Sequence, residues 1–359
     1  MNILVTGGAG FIGSHLVDAL VERGHRVRVL DNLEPQVHGP DRAVPAYLNR
    51  EAELIVGDVT RRDEILCALD GVEVVFHEAA VVGVGQSMYE VRRYMYANTI
   101  GTATLLDVLA NEKHQVRKLV VASSMSAYGE GAYDCQQCGQ VFPDVREEDA
   151  LAHGDWEMKC PNCGRNAEPR PTLETKPLGP TSPYAISKRD QEELCLAIGR
   201  AYDIPTVALR YFNVYGPRQA LSNPYTGVAA IFISRMLNGQ PPIIFEDGLQ
   251  SRDFVHVSDI VQANLLAMTQ DAADYHAINV GSGQPITILD VARALGEALG
   301  FDSPPIIEGK FRAGDIRHCF SDISQARRLL GYEPKVAPQQ GLANLALETR
   351  EETPADLLE

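Results

Sequence analysis

Positive charge is scarce in this sequence. Its 359 residues include 32 Lys and Arg against 48 Asp and Glu, which gives a formal net charge of −16. An acidic surface does not favour nucleic acid or an anionic membrane as a partner, because their phosphate groups would be repelled. We therefore expect neither kind of partner. An anionic small-molecule substrate would need a local group of arginines or lysines.

Long apolar stretches are also missing, since no run approaches the roughly 20 residues that a transmembrane helix needs. The opening Met-Asn-Ile-Leu-Val-Thr-Gly-Gly lacks the basic start and the cleavage site of a signal peptide. These absences predict a cytoplasmic protein, in which the seven cysteines stay reduced unless they bind a metal. Internal repeats are absent as well, and a hydrophobic content of 45% is enough for a large core.

Short apolar strands alternate with helical segments through the first half of the chain. Because these strands are continuously apolar, both faces of their sheet are expected to be covered, as in right-handed βαβ units. We therefore predict an α/β fold with a Rossmann-like, doubly wound parallel sheet. The predicted strands lie at 3–5, 27–30, 54–56, 72–76, 118–122 and 206–210, and the helices between them at 11–23, 61–69, 94–111 and 183–202.

A glycine-rich turn follows the first strand and opens the first helix. Gly7 permits a tight bend, Gly10 allows backbone to approach a pyrophosphate, and Gly13 lets the helix pack on the strand. Asp31 ends the second strand, where a carboxylate can bind the ribose 2′-hydroxyl and would repel a 2′-phosphate. The pattern predicts a dinucleotide site that prefers NAD to NADP. A simple turn role for Asp31 is the alternative.

Tyr184 and Lys188 are four residues apart, so a helix places both on one face. Tyrosine is a poor base at its ordinary pKa of about 10. A nearby ammonium lowers that pKa and favours the phenolate. A strand that ends at Ser124 would bring a hydroxyl to the same cleft. An ordinary amphipathic helix can show the same Tyr–Lys spacing. The pair therefore indicates a catalytic site only in combination with the other motifs.

These motifs come in the order and spacing of one known family. The sequence resembles the extended short-chain dehydrogenase/reductases that act on nucleotide-activated sugars, over essentially the whole chain apart from a cysteine-rich insertion. The matching stretches are the glycine turn, Gly57-Asp58-Val59, His77-Glu78-Ala79-Ala80, Asn98-Thr99-Ile100-Gly101-Thr102, Ser123-Ser124, Tyr128-Gly129, Tyr184-x-x-x-Lys188, Arg210 to Arg218, and Arg252 to Val257.

The resemblance implies roles for individual residues. Ser124 would bind the reacting hydroxyl, Tyr184 would be the acid/base, and Lys188 would hold the nicotinamide ribose. The implied substrate is a nucleotide-diphosphate sugar, bound by Ser124, Asn213, Arg252 and Arg312; arginines suit the diphosphate because they bind it bidentately. Arg218 is a weaker candidate, for which a solvated surface charge is the alternative. The implied cofactor is NAD, bound by Gly7, Gly10, Phe11, Ile12, Gly13, Asp31, Asn32, Asp58, Val59, Ala79, Ala80, Asn98, Tyr184 and Lys188. For Asn98 the resemblance implies a support beside the active site, and a buried capping residue is the alternative.

The residues after Ser124 bear on the reaction. Sugar 4,6-dehydratases of this family carry Thr-Asp-Glu where this chain has Ser124-Met125-Ser126. Met125 cannot donate a proton and Ser126 is a poor base, so elimination of water is disfavoured. The remaining triad fits reversible oxidation at one carbon, and we predict a 4-epimerase that forms a 4-keto intermediate and returns hydride to the opposite face.

The narrowest likeness is to the dTDP-L-rhamnose 4-epimerases, through residues 123–131, the insertion that follows, and residues 223–228. A UDP-glucose 4-epimerase, a 4-ketoreductase and another nucleotide-sugar dehydratase or decarboxylase are alternatives within the family. A non-catalytic dinucleotide-sensing protein is the alternative from another class, since fold alone does not prove function.

Two Cys-x-x-Cys pairs, Cys135 with Cys138 and Cys160 with Cys163, are separated by 21 residues, and a glycine follows each pair. Four thiolates at this spacing predict a structural Zn²⁺ site of the zinc-ribbon kind, closed to catalytic water. Disulfides and a redox pair are the alternatives. Asp134, His153 and Asp155 are interpreted as surface residues rather than ligands. Cys67, Cys195 and Cys319 are expected to be inert packing residues.

Composition divides the chain into several parts. Residues 1–212 are predicted to form the NAD-binding Rossmann domain, to which a strand and helix near 252–282 return. Residues 213–350 would form mainly the substrate-binding lobe, with helices at 227–238 and 288–299. Residues 131–171 would be the zinc-binding insertion and 351–359 an acidic tail. The resemblance further implies a homodimer, paired through helices near 94–109 and 183–198.

Overall fold

The structure is a computed structural model, and it describes residues 1–221, 223, 227–312, 314–352 and 354. Residues 224–226 and most of the predicted acidic tail lie outside the described residues. The strands are β1 (Asn2–Thr6), β2 (Arg26–Asp31), β3 (Glu53–Val56), β4 (Val74–His77), β5 (Lys118–Ser124), β6 (Ala132–Cys135), β7 (Gly139–Val141), β8 (Glu168–Arg170), β9 (Thr206–Tyr211), β10 (Asn213–Tyr215), β11 (Ile243–Ile244), β12 (Ser251–His256), β13 (Ala277–Val280), β14 (Pro285–Thr287), β15 (Ile306–Ile307) and β16 (His318–Cys319).

Helices separate most of these strands. The α-helices are α1 (Phe11–Glu22), α2 (Pro35–His38), α3 (Arg62–Ala68), α4 (Val84–Ser87), α5 (Val91–Tyr94), α6 (Gly101–Asn111), α7 (Glu148–Ala152), α8 (Pro183–Ala201), α9 (Val228–Leu237), α10 (Val257–Thr269), α11 (Ile288–Leu299), α12 (Ser324–Leu330) and α13 (Pro338–Glu348). A π-helical turn spans Met95–Ile100, and short 3₁₀ turns span Met125–Tyr128 and Asp271–Ala273. Within the described part of the chain, no helix is both long and apolar enough to cross a membrane.

A seven-stranded sheet forms the centre of the large domain. Its strand order is β13-β9-β5-β4-β1-β2-β3, and every neighbouring pair is parallel. Helices α1 and α10 cover one face, and α3, α6 and α8 cover the other. The predicted Rossmann-like, doubly wound sheet is thereby confirmed. Chain order reverses between β1 and β4, so a crevice opens at their carboxyl ends, where ligands bind in such folds.

The predicted helix at 94–111 is interrupted. Helix α5 ends at Tyr94, the π-helical turn follows, and α6 begins only at Gly101. Asn98 lies inside this turn and its side chain bonds the backbone of Val81. A π-helical turn inserts an extra residue into the helical repeat and so redirects side chains, which is why such turns occur at functional sites. The other predicted elements of the large sheet differ from the observed ones by one or two residues.

The smaller lobe is built around a second sheet. Its path is β10-β12-β14, with β16 also paired to β12. Helices α9, α11 and α13 supply the rest of its apolar core. Of the segment near 252–282, helix α10 packs on α1 and strand β13 joins the large sheet, whereas β12 belongs to the second sheet.

The cysteine-rich segment has a small sheet of its own, with strand order β7-β6-β8 and antiparallel pairing. Tyr133 and Met158 are buried in its core together with two of its cysteines. Elsewhere, Cys195 and Cys319 are buried as predicted. The prediction for Cys67 was wrong, because that side chain lies on the outward face of α3 and is exposed.

Candidate active site

The glycine turn lies at the carboxyl end of β1. Gly7 has φ +70°, and a Cβ there would meet the Ala79 backbone at 2.8 Å. A Cβ on Gly13 would lie 2.3 Å from the Gly7 carbonyl oxygen, so the fold itself requires glycine at both positions. Gly10 differs, because a Cβ there would contact only that carbonyl, at 3.3 Å. The open space above Gly10 fits a bound pyrophosphate.

The first turn of α1 is suited to an anion. Gly10 is its N-cap residue and no side chain caps it, so the amides of Phe11 and Ile12 are not engaged by a cap. Unpaired N–H groups at a helix N-terminus attract phosphate. The donor set therefore fits the diphosphate of a dinucleotide.

Acidic residues line the ends of the next two strands. Asp31 accepts hydrogen bonds from the amides of Ala9 and Leu33, each at 2.9 Å, so it also fixes the glycine turn. Each carboxylate oxygen retains a lone pair for a ribose hydroxyl. Asn32 donates to Asp58 at 2.9 Å. Although burial opposes the shift, the hydrogen bond from the Thr60 amide lowers the pKa of Asp58.

The residues after β4 form the opposite wall of the crevice. Ala79 lies against Gly7, and Ala80 follows it. Asn98 accepts from the Val81 amide at 2.7 Å and donates both amide hydrogens, to the Val81 carbonyl and to Ser187 Oγ. Because no donor remains, Asn98 fits the support role rather than direct cofactor contact. Val59 packs beneath the start of α6, where a Cβ on Gly101 would meet it at 2.7 Å.

Two of the three expected catalytic residues meet where β5 and α8 converge. Ser124 ends β5, and Tyr184 lies in the first turn of α8, whose N-cap Ser182 accepts from the Ala185 amide at 3.2 Å. Burial raises the pKa of Tyr184, and the nearby Ser124 hydroxyl opposes that rise. Ser126 Oγ donates to Ser124 Oγ at 2.9 Å, which leaves the Ser124 proton free for the tyrosine oxygen. No sequence pattern pointed to this role for Ser126.

Lys188 lies one turn further along α8 and is buried. Its Nζ donates to Gln191 Oε1 at 2.7 Å. Burial lowers the pKa of Lys188, and the carboxyl of Glu78 opposes that change. Glu78 accepts from the Tyr211 hydroxyl at 2.9 Å, and burial raises the pKa of Glu78. Sequence reasoning missed Glu78, Gln191 and Tyr211, although Gln191 stands one helical turn after Lys188 and could have been found by that spacing.

The expected substrate contacts lie on the small lobe. Asn213 Oδ1 is buried and has no hydrogen-bond partner, so this side chain is available to bind a ligand. The guanidinium of Arg252 donates to backbone carbonyls of Arg317 and Ile316 at 2.8 and 2.6 Å. Arg312 stacks over the Phe245 ring at 4.6 Å. Burial raises the pKa of Asp315, whereas the charges of Arg252 and Arg312 oppose that rise, so both arginines lie near one carboxyl.

Arg218 lies near the glycine turn of the dinucleotide crevice rather than with Arg252 and Arg312. It pairs with Asp18 at 2.8 Å and stacks on the Tyr47 ring at 5.2 Å. Tyr47 in turn donates to the Ala9 carbonyl in the glycine turn. Arg218 is therefore half-buried beside the dinucleotide crevice and is not a solvated surface charge.

The four cysteines of the insertion come together as expected. Their sulfur atoms all lie within 4.8 Å of one another, and Cys135 Sγ is 3.5 Å from Cys163 Sγ. A disulfide needs about 2.05 Å, so these thiols are free. Hydrogen bonds from the amides of Gln137 and Cys138 lower the pKa of Cys135 to about 7.

The backbone around the sulfurs suits a metal. Gly139 and Gly164, which follow the two pairs, both have φ +73°, a conformation that favours glycine and turns each pair inward. Among the described residues, no other His, Cys, Asp or Glu joins this cluster. Asp134 instead pairs with Arg170, and Asp155 pairs with Lys159. His153 contacts the Asp149 carbonyl.

Comparison with known proteins adds to this picture. The model of the NAD dependent epimerase/dehydratase family matches residues 3–146 and 161–281. The chain is 36% identical to the dTDP-L-rhamnose 4-epimerase of Burkholderia thailandensis over 348 residues, which cover 96% of this chain and 93% of that protein.

Solved structures agree in fold. The UDP-glucose 4-epimerase of Thermotoga maritima, solved with UDP-glucose, superposes with a TM-score of 0.80 at 35% identity, covering 98% of this chain and 99% of that one. The UDP-glucose 4-epimerase of Thermus thermophilus, solved with NAD, superposes with a TM-score of 0.77 at 30% identity, covering 98% and 99%.

Proposed function

The chain belongs to the NAD-dependent epimerase/dehydratase family, and on that premise we propose that it is a nucleotide-sugar 4-epimerase acting on dTDP-L-rhamnose. One observation carries the proposal: Ser124 at the end of β5 and Tyr184 in the first turn of α8 come together beside the dinucleotide crevice, close enough for Ser124 to affect the pKa of Tyr184. The neighbouring Met125 is buried in the core and cannot donate a proton, so position 125 supplies no second acid to this pair. Such a site can move one proton and one hydride at a single carbon, which is what a 4-epimerase requires.

NAD, when bound, would supply the hydride acceptor and donor for the reacting carbon. The glycine turn and the start of α1 hold its diphosphate, and Asp31 holds a ribose hydroxyl. Tyr184 takes the proton from the sugar 4-hydroxyl while Ser124 orients that oxygen. Lys188 favours the phenolate of Tyr184 through its positive charge. After the 4-keto sugar has rotated, Tyr184 returns the proton to the same oxygen.

Rotation requires that the sugar be held loosely and the nucleotide firmly. Arg252, Arg312 and Asn213 are assigned to the diphosphate for this reason, and Asn213 would donate to it through its amide nitrogen. Fork-shaped guanidinium groups bind phosphate oxygens bidentately, so they can retain the nucleotide while the sugar ring turns over. This arrangement also answers the need for local positive charge on an acidic protein.

The substrate and the reaction can be tested together. Purified protein is incubated with dTDP-L-rhamnose and, in parallel, with UDP-glucose, without added cofactor, and the products are separated by chromatography. We expect the C4 epimer of dTDP-L-rhamnose to form, with kcat/KM at least about tenfold above that for UDP-glucose. A 4-keto product that forms only with stoichiometric added NAD, without any C4 epimer, would identify a 4-ketoreductase running in reverse instead.

The insertion is proposed to bind one structural Zn²⁺ through Cys135, Cys138, Cys160 and Cys163. The four sulfurs already lie within 4.8 Å of one another, which suits tetrahedral thiolate coordination. We expect atomic spectroscopy to find about one zinc per chain, and Cys160→Ser to lose it because three thiolates bind far more weakly. Cys67→Ser, which changes an exposed thiol outside the cluster, is the matched control and should keep the metal. Full zinc content in Cys160→Ser would refute the assignment.

We also propose a homodimer formed through α8 and the helical segment that precedes α6. The two elements pack together, since Thr99 Oγ1 donates to Asp190 at 2.8 Å. Tyr96, Ile100 and Ile186 are 54%, 46% and 41% exposed on these two packed elements, and a group of exposed apolar side chains is what a protein–protein interface presents. Sedimentation velocity should give a mass near twice 39.2 kDa, and Ile100→Asp should shift it toward one chain. A wild-type mass of a single chain at micromolar concentration would exclude the dimer.

A further inference from the structure

The two arginines assigned to the diphosphate depend on a short stretch of backbone. Arg252 donates to the carbonyls of Ile316 and Arg317, at 2.6 and 2.8 Å. Arg312 lies just before this stretch, and the Asp315 amide hydrogen-bonds its carbonyl at 3.1 Å. We call residues 315–318 the support segment. Any displacement of the support segment would move both arginines relative to a bound nucleotide.

Residues at and inside the cysteine insertion hold the support segment. Glu130, directly before the insertion, accepts from the amides of Arg317 and His318 at 2.7 and 2.8 Å. Arg146, within it, donates to the Asp315 carbonyl at 3.0 Å. The amide of Gly131 also donates to the His318 carbonyl. Hydrogen bonds from Glu130, Gly131 and Arg146 therefore hold three of the four residues of the support segment in place.

A buried ionic network reinforces these hydrogen bonds. Arg317 is fully buried, and its guanidinium contacts Glu157 at 2.6 Å, Asp247 at 2.7 and 2.9 Å, and Glu246 at 3.0 Å. Arg146 makes a bidentate pair with Glu246 at 2.7 and 2.9 Å. Glu157 comes from the insertion, whereas Glu246 and Asp247 come from the substrate lobe. The network therefore joins the insertion, the support segment and the lobe.

We propose that the cysteine insertion positions the diphosphate-binding arginines, with Glu157 as the positioning residue. The inference rests on the proposed function, because it takes Arg252 and Arg312 as the diphosphate contacts. The family match is interrupted over residues 147–160, which include Glu157, so this contact lies outside the matched pattern. Met158, which follows Glu157 in the chain, packs in the same small core as Cys135 and Cys160, and through it the metal cluster would set how firmly Glu157 is held.

Binding of dTDP to the NAD-loaded protein, measured by calorimetry, tests the proposal. Glu157→Ala should weaken dTDP binding about tenfold and raise KM equally, with kcat within about twofold of wild type, because only nucleotide positioning is altered. Glu157→Gln keeps an acceptor oxygen and should recover part of the affinity. Asp155→Asn is the matched control, since among the described residues the Asp155 carboxylate forms an ion pair only with Lys159, on the surface, and the variant should bind dTDP like wild type.

A second variant removes the metal cluster itself. Cys138→Ser combined with Cys163→Ser should weaken dTDP binding in the same way while NAD binding is unchanged. If Glu157→Ala and the double cysteine variant both bind dTDP like wild type, the inference is wrong although the proposed function stands. If either variant loses NAD affinity as well, the role is general structural support and not positioning. If wild type itself binds neither dTDP nor UDP, the proposed function fails and takes the inference with it.

Discussion

Replacing Tyr184 with Phe is expected to lower kcat for epimerisation by about 10³-fold, because the substitution removes the group that exchanges a proton with the 4-hydroxyl. The ring remains, so its edge-on contact with Tyr94, at 6.3 Å between ring centroids, and the packing of α8 are preserved. Binding of NAD and dTDP should therefore stay within about twofold of wild type. Steady-state kinetics and calorimetry on the same preparation give the two readouts.

Tyr94→Phe is the matched control for this substitution. Tyr94 touches the Tyr184 ring, and its hydroxyl bonds the Val82 carbonyl and Gln86 Oε1, each at 3.1 Å, so it takes no part in the chemistry. Loss of those hydrogen bonds should lower kcat by less than about tenfold. A Tyr184→Phe variant that retains more than a tenth of the wild-type kcat would contradict the role of Tyr184 as the acid/base.

The same comparison extends to Lys188. Removing its ammonium in Lys188→Met leaves the Tyr184 phenolate without a nearby positive charge, so the pKa of Tyr184 should rise further above its ordinary value. The residual activity should then increase toward high pH, whereas Tyr184→Phe should show no such recovery. The pH profiles of the two variants thus separate the group that transfers the proton from the group that tunes it.

Replacing Arg317 with Met is expected to lower the free energy of unfolding by about 3–5 kcal/mol at pH 7, because Glu157, Asp247 and the buried Glu246 all lose this guanidinium, although Glu246 keeps Arg146. Glu246 and Asp247 both face this guanidinium, at 3.0 and 2.7 Å, and neither side chain is more than 29% exposed. Urea unfolding, followed by the fluorescence of the single tryptophan, reports this change directly. That residue, Trp156, lies in the insertion, and its carbonyl accepts from Arg146 at 3.0 Å.

Low pH should reduce the difference in the free energy of unfolding between Arg317→Met and wild type. Hydrogen bonding to His318 and to Arg317 lowers the pKa of Glu157 from 4.5 to about 2. A carboxyl with a lowered pKa stabilises the fold above its unfolded pKa and loses that contribution as pH falls through the folded value. The stabilising contribution of the Glu157–Arg317 pair is therefore lost between about pH 4.5 and 2. In that range the free energy of unfolding of wild type should approach that of Arg317→Met.

Arg293→Met is the control for the loss of an arginine as such. Arg293 is exposed on α11 and pairs with Asp290 at 3.4 Å, so its removal should change stability by less than about 0.5 kcal/mol. Equal stability of Arg317→Met and Arg293→Met at pH 7 would show that the buried network does not hold the insertion against the lobe.

The large sheet could be predicted because its signal is local. Ile3, Leu4 and Val5 are continuously apolar and completely buried, as strands covered on both faces must be. The π-helical turn could not be predicted, because it accompanies contacts between Asn98 and the distant Val81 rather than a residue pattern. Cys67 was misjudged because apolar neighbours in a helix say little about which face a given side chain occupies.

The candidate site shows the same division. Tyr184 and Lys188 could be predicted because residues four apart lie on the same face of a helix. The cysteine pairs could be predicted because the Cys-x-x-Cys spacing is typical of a metal site. Glu130, Glu157 and Arg317 come from three separate segments of the chain, and their contacts exist only in the folded lobe. Neither residue spacing nor composition predicts such a network. Its role in positioning Arg252 and Arg312 could therefore be inferred only from the structure.

Proton NMR of the purified protein with dTDP-L-rhamnose in D₂O, without added cofactor, tests 4-epimerisation most directly. We expect a C4 epimer whose C4 position carries protium, because the hydride leaves and returns within one enclosed site. Deuterium at C3 or C5 would mean that the sugar had enolised, and deuterium at C4 would mean exchange with solvent. Either result would contradict a mechanism based on Tyr184 and transient oxidation at C4.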